Sequence, residues 1–93
     1  MKALFLPLMR EHFENFRSGR KTNEYRRYNS PWTEKTCAVG RDVVLSLGYG
    51  KQCRMRGRIT RFSTTARKSK AFRQIFPHWT GRVAVIGITL QEV

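Results

Sequence analysis

The chain has 93 residues, 40% of them apolar, with 19 Lys and Arg against 6 Asp and Glu and a formal charge of +13. That length suits one domain over residues 1–93 and leaves no room for two cores, and a charge of this size favours polyanionic partners. No stretch approaches the roughly 18–20 apolar residues of a spanning helix, so no membrane partner is expected.

Ala3-Leu4-Phe5-Leu6 is broken by Pro7 and followed by charge at Arg10, which argues against a secretory leader and for a cytoplasmic address. Cys37 and Cys53 lie sixteen positions apart with no second pair, so neither a zinc site nor a disulfide framework is indicated. His12 and His78 add no metal-ligand spacing, and both read as structural. No nucleotide-binding glycine pattern is present, since Gly48-Tyr49-Gly50 leads to no third glycine and no helix. Neither a metal nor a cofactor is expected.

In chain order, Lys2-Ala3-Leu4-Phe5-Leu6 suits a first buried strand stopped by Pro7. From Leu8 to Ser18 the period lengthens. Leu8, Met9, His12, Phe13 and Phe16 share one helical face, Arg10, Glu11, Glu14 and Arg17 the other, and Gly19 stands where a left-handed cap ends a helix. Thr22 to Tyr28 alternates as a strand, with Thr22, Glu24, Arg26 and Tyr28 on one face and Asn23, Tyr25 and Arg27 on the other. Ser30-Pro31-Trp32 predicts an N-cap and a short turn of helix through about Cys37.

Asp42 to Leu47 reads as a strand ended by the turn Gly48-Tyr49-Gly50. Arg54 to Ile59 alternates strictly, with Arg54, Arg56 and Arg58 on one face and Met55, Gly57 and Ile59 toward the core. Ser63 to Lys70 is polar and basic without a period and reads as a loop. Ser69 then caps a short helix that carries Phe72, Ile75 and Phe76 inward and ends at Pro77. Val83 to Leu90 is apolar on both faces, as in a central strand. Together these elements predict an α+β fold, a barrel-like sheet of about five to six strands with helices covering its ends.

The positive charge is concentrated late in the chain, because no acidic residue lies between Val43 and Gln91. Side chains at i and i+2 of a strand stand about 6.6–6.8 Å apart, so Arg54, Arg56 and Arg58 suit successive phosphates, which guanidinium groups hold in a two-pronged way. Arg67, Lys68 and Lys70 in the following loop add phosphate contacts. Of the aromatics near loops and strand ends, Trp32 and Tyr49 are the best placed for base stacking, their neighbours being polar or glycine.

Gly19-Arg20-Lys21-Thr22-Asn23-Glu24-Tyr25-Arg26 packs Lys, Glu and Arg where a helix ends and a strand with two polar faces begins. Such charges are paired or wet. They can position a lysine and a carboxylate for proton transfer, or form an ion-pair network that shapes a pocket.

Gly19, Lys21, Glu24 and Arg26 match the Gly-x-Lys-x-x-Glu-x-Arg signature of ASCH domains, members of the PUA-like superfold. Gly40-Arg41-Asp42-Val43-Val44-Leu45 resembles the strand motif that follows, usually Gly-Asp-x-Val, with Arg41 inserted between Gly and Asp. The resemblance covers nearly the whole chain and loosens after Arg61. It implies a PUA-like β-barrel with a cleft, lined by Lys21, Glu24 and Arg26, that faces RNA or single-stranded nucleic acid.

Small relatives of this kind hydrolyse acylated cytidines with a lysine, a threonine nucleophile and a distant glutamate. Here Glu24 stands in the threonine's place, no Glu follows Arg61 before Glu92, and Thr22 is a substitute only by adjacency to Lys21. Another relative is linked to RNA cleavage, for which Lys21 and Glu24 would supply acid and base. The expected function is therefore binding of RNA or single-stranded DNA. A small nucleoside amidohydrolase or ribonuclease using Lys21 and Glu24 is the alternative, and an adaptor for an acidic protein is the third.

Overall fold

A computed structural model describes residues 2–91. Five strands and two helices follow in the order β1 (Leu4–Leu8), α1 (Arg10–Arg17), β2 (Asn23–Arg27), β3 (Asp42–Leu47), β4 (Arg54–Thr65), α2 (Lys70–Ile75) and β5 (Val83–Leu90). The strands form one mixed sheet, ordered β1-β3-β4-β5-β2 and curled into a half-barrel. β1 runs parallel to β3, and every other neighbouring pair is antiparallel. Among the described residues no helix is long and apolar enough to cross a membrane.

The core fills the inside of the curl. Leu4, Leu6 and Leu8 of β1, Val43 and Leu45 of β3, Ile59 of β4 and Ile86 and Ile88 of β5 point inward, and Phe13 and Phe16 of α1 close over them. Alternation explains the first strand, because Phe5 between Leu4 and Leu6 faces outward. The strand does not stop at Pro7 but runs through it to Leu8. β1 is an edge, and an edge strand tolerates a residue that brings no N–H to the ladder.

Gly19 ends α1 with φ +83°, the left-handed conformation expected of it. Met9 precedes the helix as its cap and is exposed, so it leaves the apolar face drawn from periodicity. Residues 28–37 form a series of turns and bends rather than a short helix, with Cys37 N–H donating to Thr33 O as one isolated helical turn.

β4 is twice as long as its alternation predicts. It continues through Thr65 because Phe62 and Thr64 keep pairing inward, opposite Ile86 and Ala84 of β5. Ile59 pairs with Ile88 and Arg61 with Gly87, so Thr60 is an extra residue, a β-bulge. The bulge shifts the parity of the strand. Inward residues are odd before it (Met55, Gly57, Ile59) and even after it (Phe62, Thr64), and Arg61 therefore shares the outer face with Arg54, Arg56 and Arg58.

Ser69 Oγ accepts from Phe72 N–H at 3.1 Å and caps α2, and Phe72 is buried. Ile75, predicted to point inward, is half exposed.

Candidate functional site

The free edge of β2 borders a cleft of about 600 Å³, with the end of β1 and α1 on one side and α2 on the other. Glu24 is buried there, with a salt bridge from Oε1 to Lys21 Nζ at 3.0 Å and from Oε2 to Arg26 Nε at 2.7 Å. Lys21 Nζ also lies 2.9 Å from His12 Nδ1. Arg26 Nη2 donates to Pro7 O at 2.8 Å, bridging the two edge strands β1 and β2 across the open side of the curl.

The strand faces predicted for residues 22–28 thus bring Lys21, Glu24 and Arg26 together, with two cations against one carboxylate. Both carboxylate oxygens of Glu24 are engaged, one by each cation, so it fixes Lys21 and Arg26 in the wall of the cleft. Sequence reasoning placed His12 in the core as a structural residue. The signal available was its place on α1, whose chain turns back at Gly19 and returns Lys21 over the helix.

Trp32 is half buried against the core, and the Arg26 guanidinium lies 4.6 Å from its ring centroid. That face of the ring supports Arg26. Lys21 Nζ lies 5.6 Å from the Phe16 centroid and 5.9 Å from that of Tyr25, so aromatic walls flank both cations.

A second hollow, of about 550 Å³, lies past the end of α1 and is lined by Arg17, Lys21, Thr22, Asn23, Thr60, Arg61 and Gly87 among others. Lys21, Thr22 and Asn23 border both hollows. Gly87 lies between Asn23 and Arg61 on the outer face, where a Cβ would come within 3.1 Å of Arg61 Cβ and 3.3 Å of Asn23 Oδ1. Asn23 Oδ1 is itself buried with no hydrogen-bond partner among the described residues.

The outer face of β4 carries Arg54, Arg56, Arg58 and Arg61, all exposed. Strand pairing sets Asp42 opposite Arg58, and Arg58 Nε lies 3.3 Å from Asp42 Oδ1. The ladder thus has a carboxylate neighbour that sequence distance concealed. Arg54 donates from Nε to Gly50 O at 3.2 Å and stacks on Phe5, its guanidinium carbon 5.2 Å from the ring centroid. Only the bulge at Thr60 brings Arg61 into this row.

Arg67, Lys68 and Lys70 do not extend this row. They follow the Thr65 end of β4, beyond Arg61 and off the strand. Their neighbours Ser69 and Ala71 line the first cleft, so these cations stand near its α2 wall. Tyr49 is 82% exposed at the tip of the β3–β4 turn.

Cys37 is fully buried, and loss of solvation pushes its thiol up to about 11, against smaller opposing effects from Arg41 and Arg26. Cys53 is exposed, and both cysteines are free. Among the described residues no three His, Cys, Asp or Glu side chains cluster as metal ligands would. No protein-family model matches the chain, and no curated protein is significantly similar to it in sequence.

Proposed function

We propose that the chain is a nucleic-acid-binding domain of the ASCH type within the PUA-like superfold, acting on RNA or single-stranded DNA. The observation that carries this reading is the row Arg54, Arg56, Arg58 and Arg61, four exposed guanidinium groups on one sheet face with a single carboxylate, Asp42, against them among the described residues. A phosphodiester chain laid along the row meets a cation at nearly each phosphate. At Arg61 it arrives at the second hollow, whose opposite wall is Lys21 and Thr22. Lys21, Glu24 and Arg26 shape the pocket beyond, and Arg67, Lys68 and Lys70 add a separate cationic group at its far wall.

The test is fluorescence anisotropy with labelled single-stranded RNA, single-stranded DNA and duplex at low ionic strength, with amide shifts mapping the contact. Tightening on single strands, with shifts along β4 and at residues 21–26, is the expected result. Indifference of the folded protein to every oligonucleotide refutes the reading.

One observation favours the second reading, a hydrolase. Lys21 Nζ is held between Glu24 and His12 in the wall of a cleft large enough for a nucleoside. The glutamate that relatives would supply late in the chain has Glu92 as its sole candidate here, and Glu92 lies outside the described residues. Turnover of acylated cytidine and of labelled RNA by wild type, abolished in Lys21→Ala, would establish this activity. Equal rates in both proteins would remove Lys21 from any mechanism.

A further inference from the structure

We propose that Phe5 and Tyr49 form a base-stacking platform at the β1 side of the arginine row, taking an unpaired base while Arg54 and Arg56 hold the phosphates on either side of it. The inference rests on the nucleic-acid reading and assigns it a subsite outside the cleft. Phe5 lies opposite Val44, which lies opposite Arg56, so the three share the outer face across β1, β3 and β4. With strands about 4.8 Å apart, the backbone of Phe5 is roughly 10 Å from that of Arg56, within reach of a nucleotide whose base and phosphate are held separately.

Phe5 and Tyr49 are both exposed, at 37% and 82%, with ring centroids 6.1 Å apart and planes inclined by 36°. Phe5 is the outward residue of a strand whose neighbours Leu4 and Leu6 are buried, so the sheet holds its ring in place. Tyr49 is set between Gly48, at φ +64°, and Gly50, in a tight turn that projects the ring. Arg54 already covers part of Phe5 at 5.2 Å, the geometry in which a guanidinium also flanks a stacked base.

The surroundings select the occupant. Arg54 covers Phe5, Arg56 shares its face two strands away, Lys51 follows Tyr49 by two residues, and Asp42, engaged with Arg58, is the carboxylate of this face among the described residues. An apolar or cationic protein surface would meet uncompensated positive charge there. A single strand brings phosphates for the cations and π-faces for the rings, and a duplex keeps its base faces stacked on one another.

The experiment compares a single-stranded oligomer with one of equal length and charge in which one nucleotide is abasic, using wild type, Tyr49→Ala and Tyr49→Phe. Tyr49 is almost wholly exposed, so these variants leave the core intact. The expected result is about a tenfold preference of wild type for the intact oligomer, lost in Tyr49→Ala, kept in Tyr49→Phe, with an unchanged salt dependence. Binding that is equally tight for Tyr49→Ala and wild type, or blind to the abasic site, overturns the platform and leaves the phosphate row standing. Failure of all three proteins to bind any oligomer at low salt overturns the nucleic-acid reading itself. If Tyr49→Ala instead changes the sedimentation of the protein, the rings are a contact between copies and the inference is wrong.

Discussion

Replacing Glu24 by glutamine removes the one negative charge between two cations in the cleft. The Glu24 side chain is 7% exposed, and its partners Lys21 and Arg26 are 15% and 19% exposed. Breaking a buried ion pair from one side costs about 3–5 kcal/mol. Both cations retain some contact with water, which places this loss near the lower end, at about 3 kcal/mol. Glutamine also turns an NH₂ group toward Lys21 or Arg26, setting donor against donor. For a domain of this size each kcal/mol moves the melting temperature by about 4–8 °C, so Glu24→Gln is expected to melt roughly 12–24 °C below wild type.

Thermal and urea unfolding of Glu24→Gln, Lys21→Met and the double variant measure this directly. The double variant is expected to lose clearly less than the sum of the single losses, because the two groups interact. A Glu24→Gln protein within 1 kcal/mol of wild type would show that the trio is solvated and contributes no order to the cleft.

Three further outcomes are expected. A Cβ at position 57 would stand 2.9 Å from Ile88 Cγ2 and 3.0 Å from Thr89 O, so Gly57→Ala should cost about 1–3 kcal/mol by overpacking, read by urea denaturation. A thiol reagent at neutral pH should label Cys53 rapidly and Cys37 only on unfolding, since Cys37 is buried and its thiol is pushed up to about 11; two fast thiols in the native protein would contradict the packing.

Tyr28 donates its hydroxyl to Glu34 at 2.6 Å. This bond, and then burial and the Glu34 charge, raise the Tyr28 phenol above its usual value, and the same bond lowers the Glu34 carboxyl. The link therefore stabilises the fold from above the ordinary carboxylate range up to the ordinary phenol range. It is lost on the acid side as pH falls through the depressed Glu34 value, and on the alkaline side as pH rises through the raised Tyr28 value. Ultraviolet titration of phenolate should show one late tyrosine that returns to normal in Glu34→Ala, and three equivalent tyrosines in wild type would refute the bond.

How much the sequence discloses varies with how local the cause is. β3 and β5 coincide with the predicted strands, because their apolar runs are bounded by residues that break the pattern, Gly40-Arg41 and Gly48 for β3 and Gly81-Arg82 and Gln91 for β5. The Gly19 cap is a local backbone requirement and needs no tertiary information. The second half of β4 escaped because the bulge at Thr60 shifts the alternation by one, so a strand of constant period cannot be drawn through residues 54–65. The same shift concealed Arg61. Pairing between strands distant in sequence explains two further differences, the approach of Asp42 to Arg58 and the closure of the β1–β2 seam by Arg26 and Pro7. Lys21, Glu24 and Arg26 converge as spacing suggests, since all three hang on one turn and one strand, whereas the basic residues after Thr65 lie past the end of β4, off the strand face that carries the row.

The salt dependence of single-strand affinity tests the arginine row most directly. Each phosphate contact on a single strand contributes about −0.7 to the slope of log K against log salt, so four contacts give roughly −2.8, and Arg54→Ala, Arg56→Ala and Arg61→Ala combined should reduce the slope by about 2. A triple variant that keeps the wild-type slope would show that the outer face of β4 does not hold the phosphates.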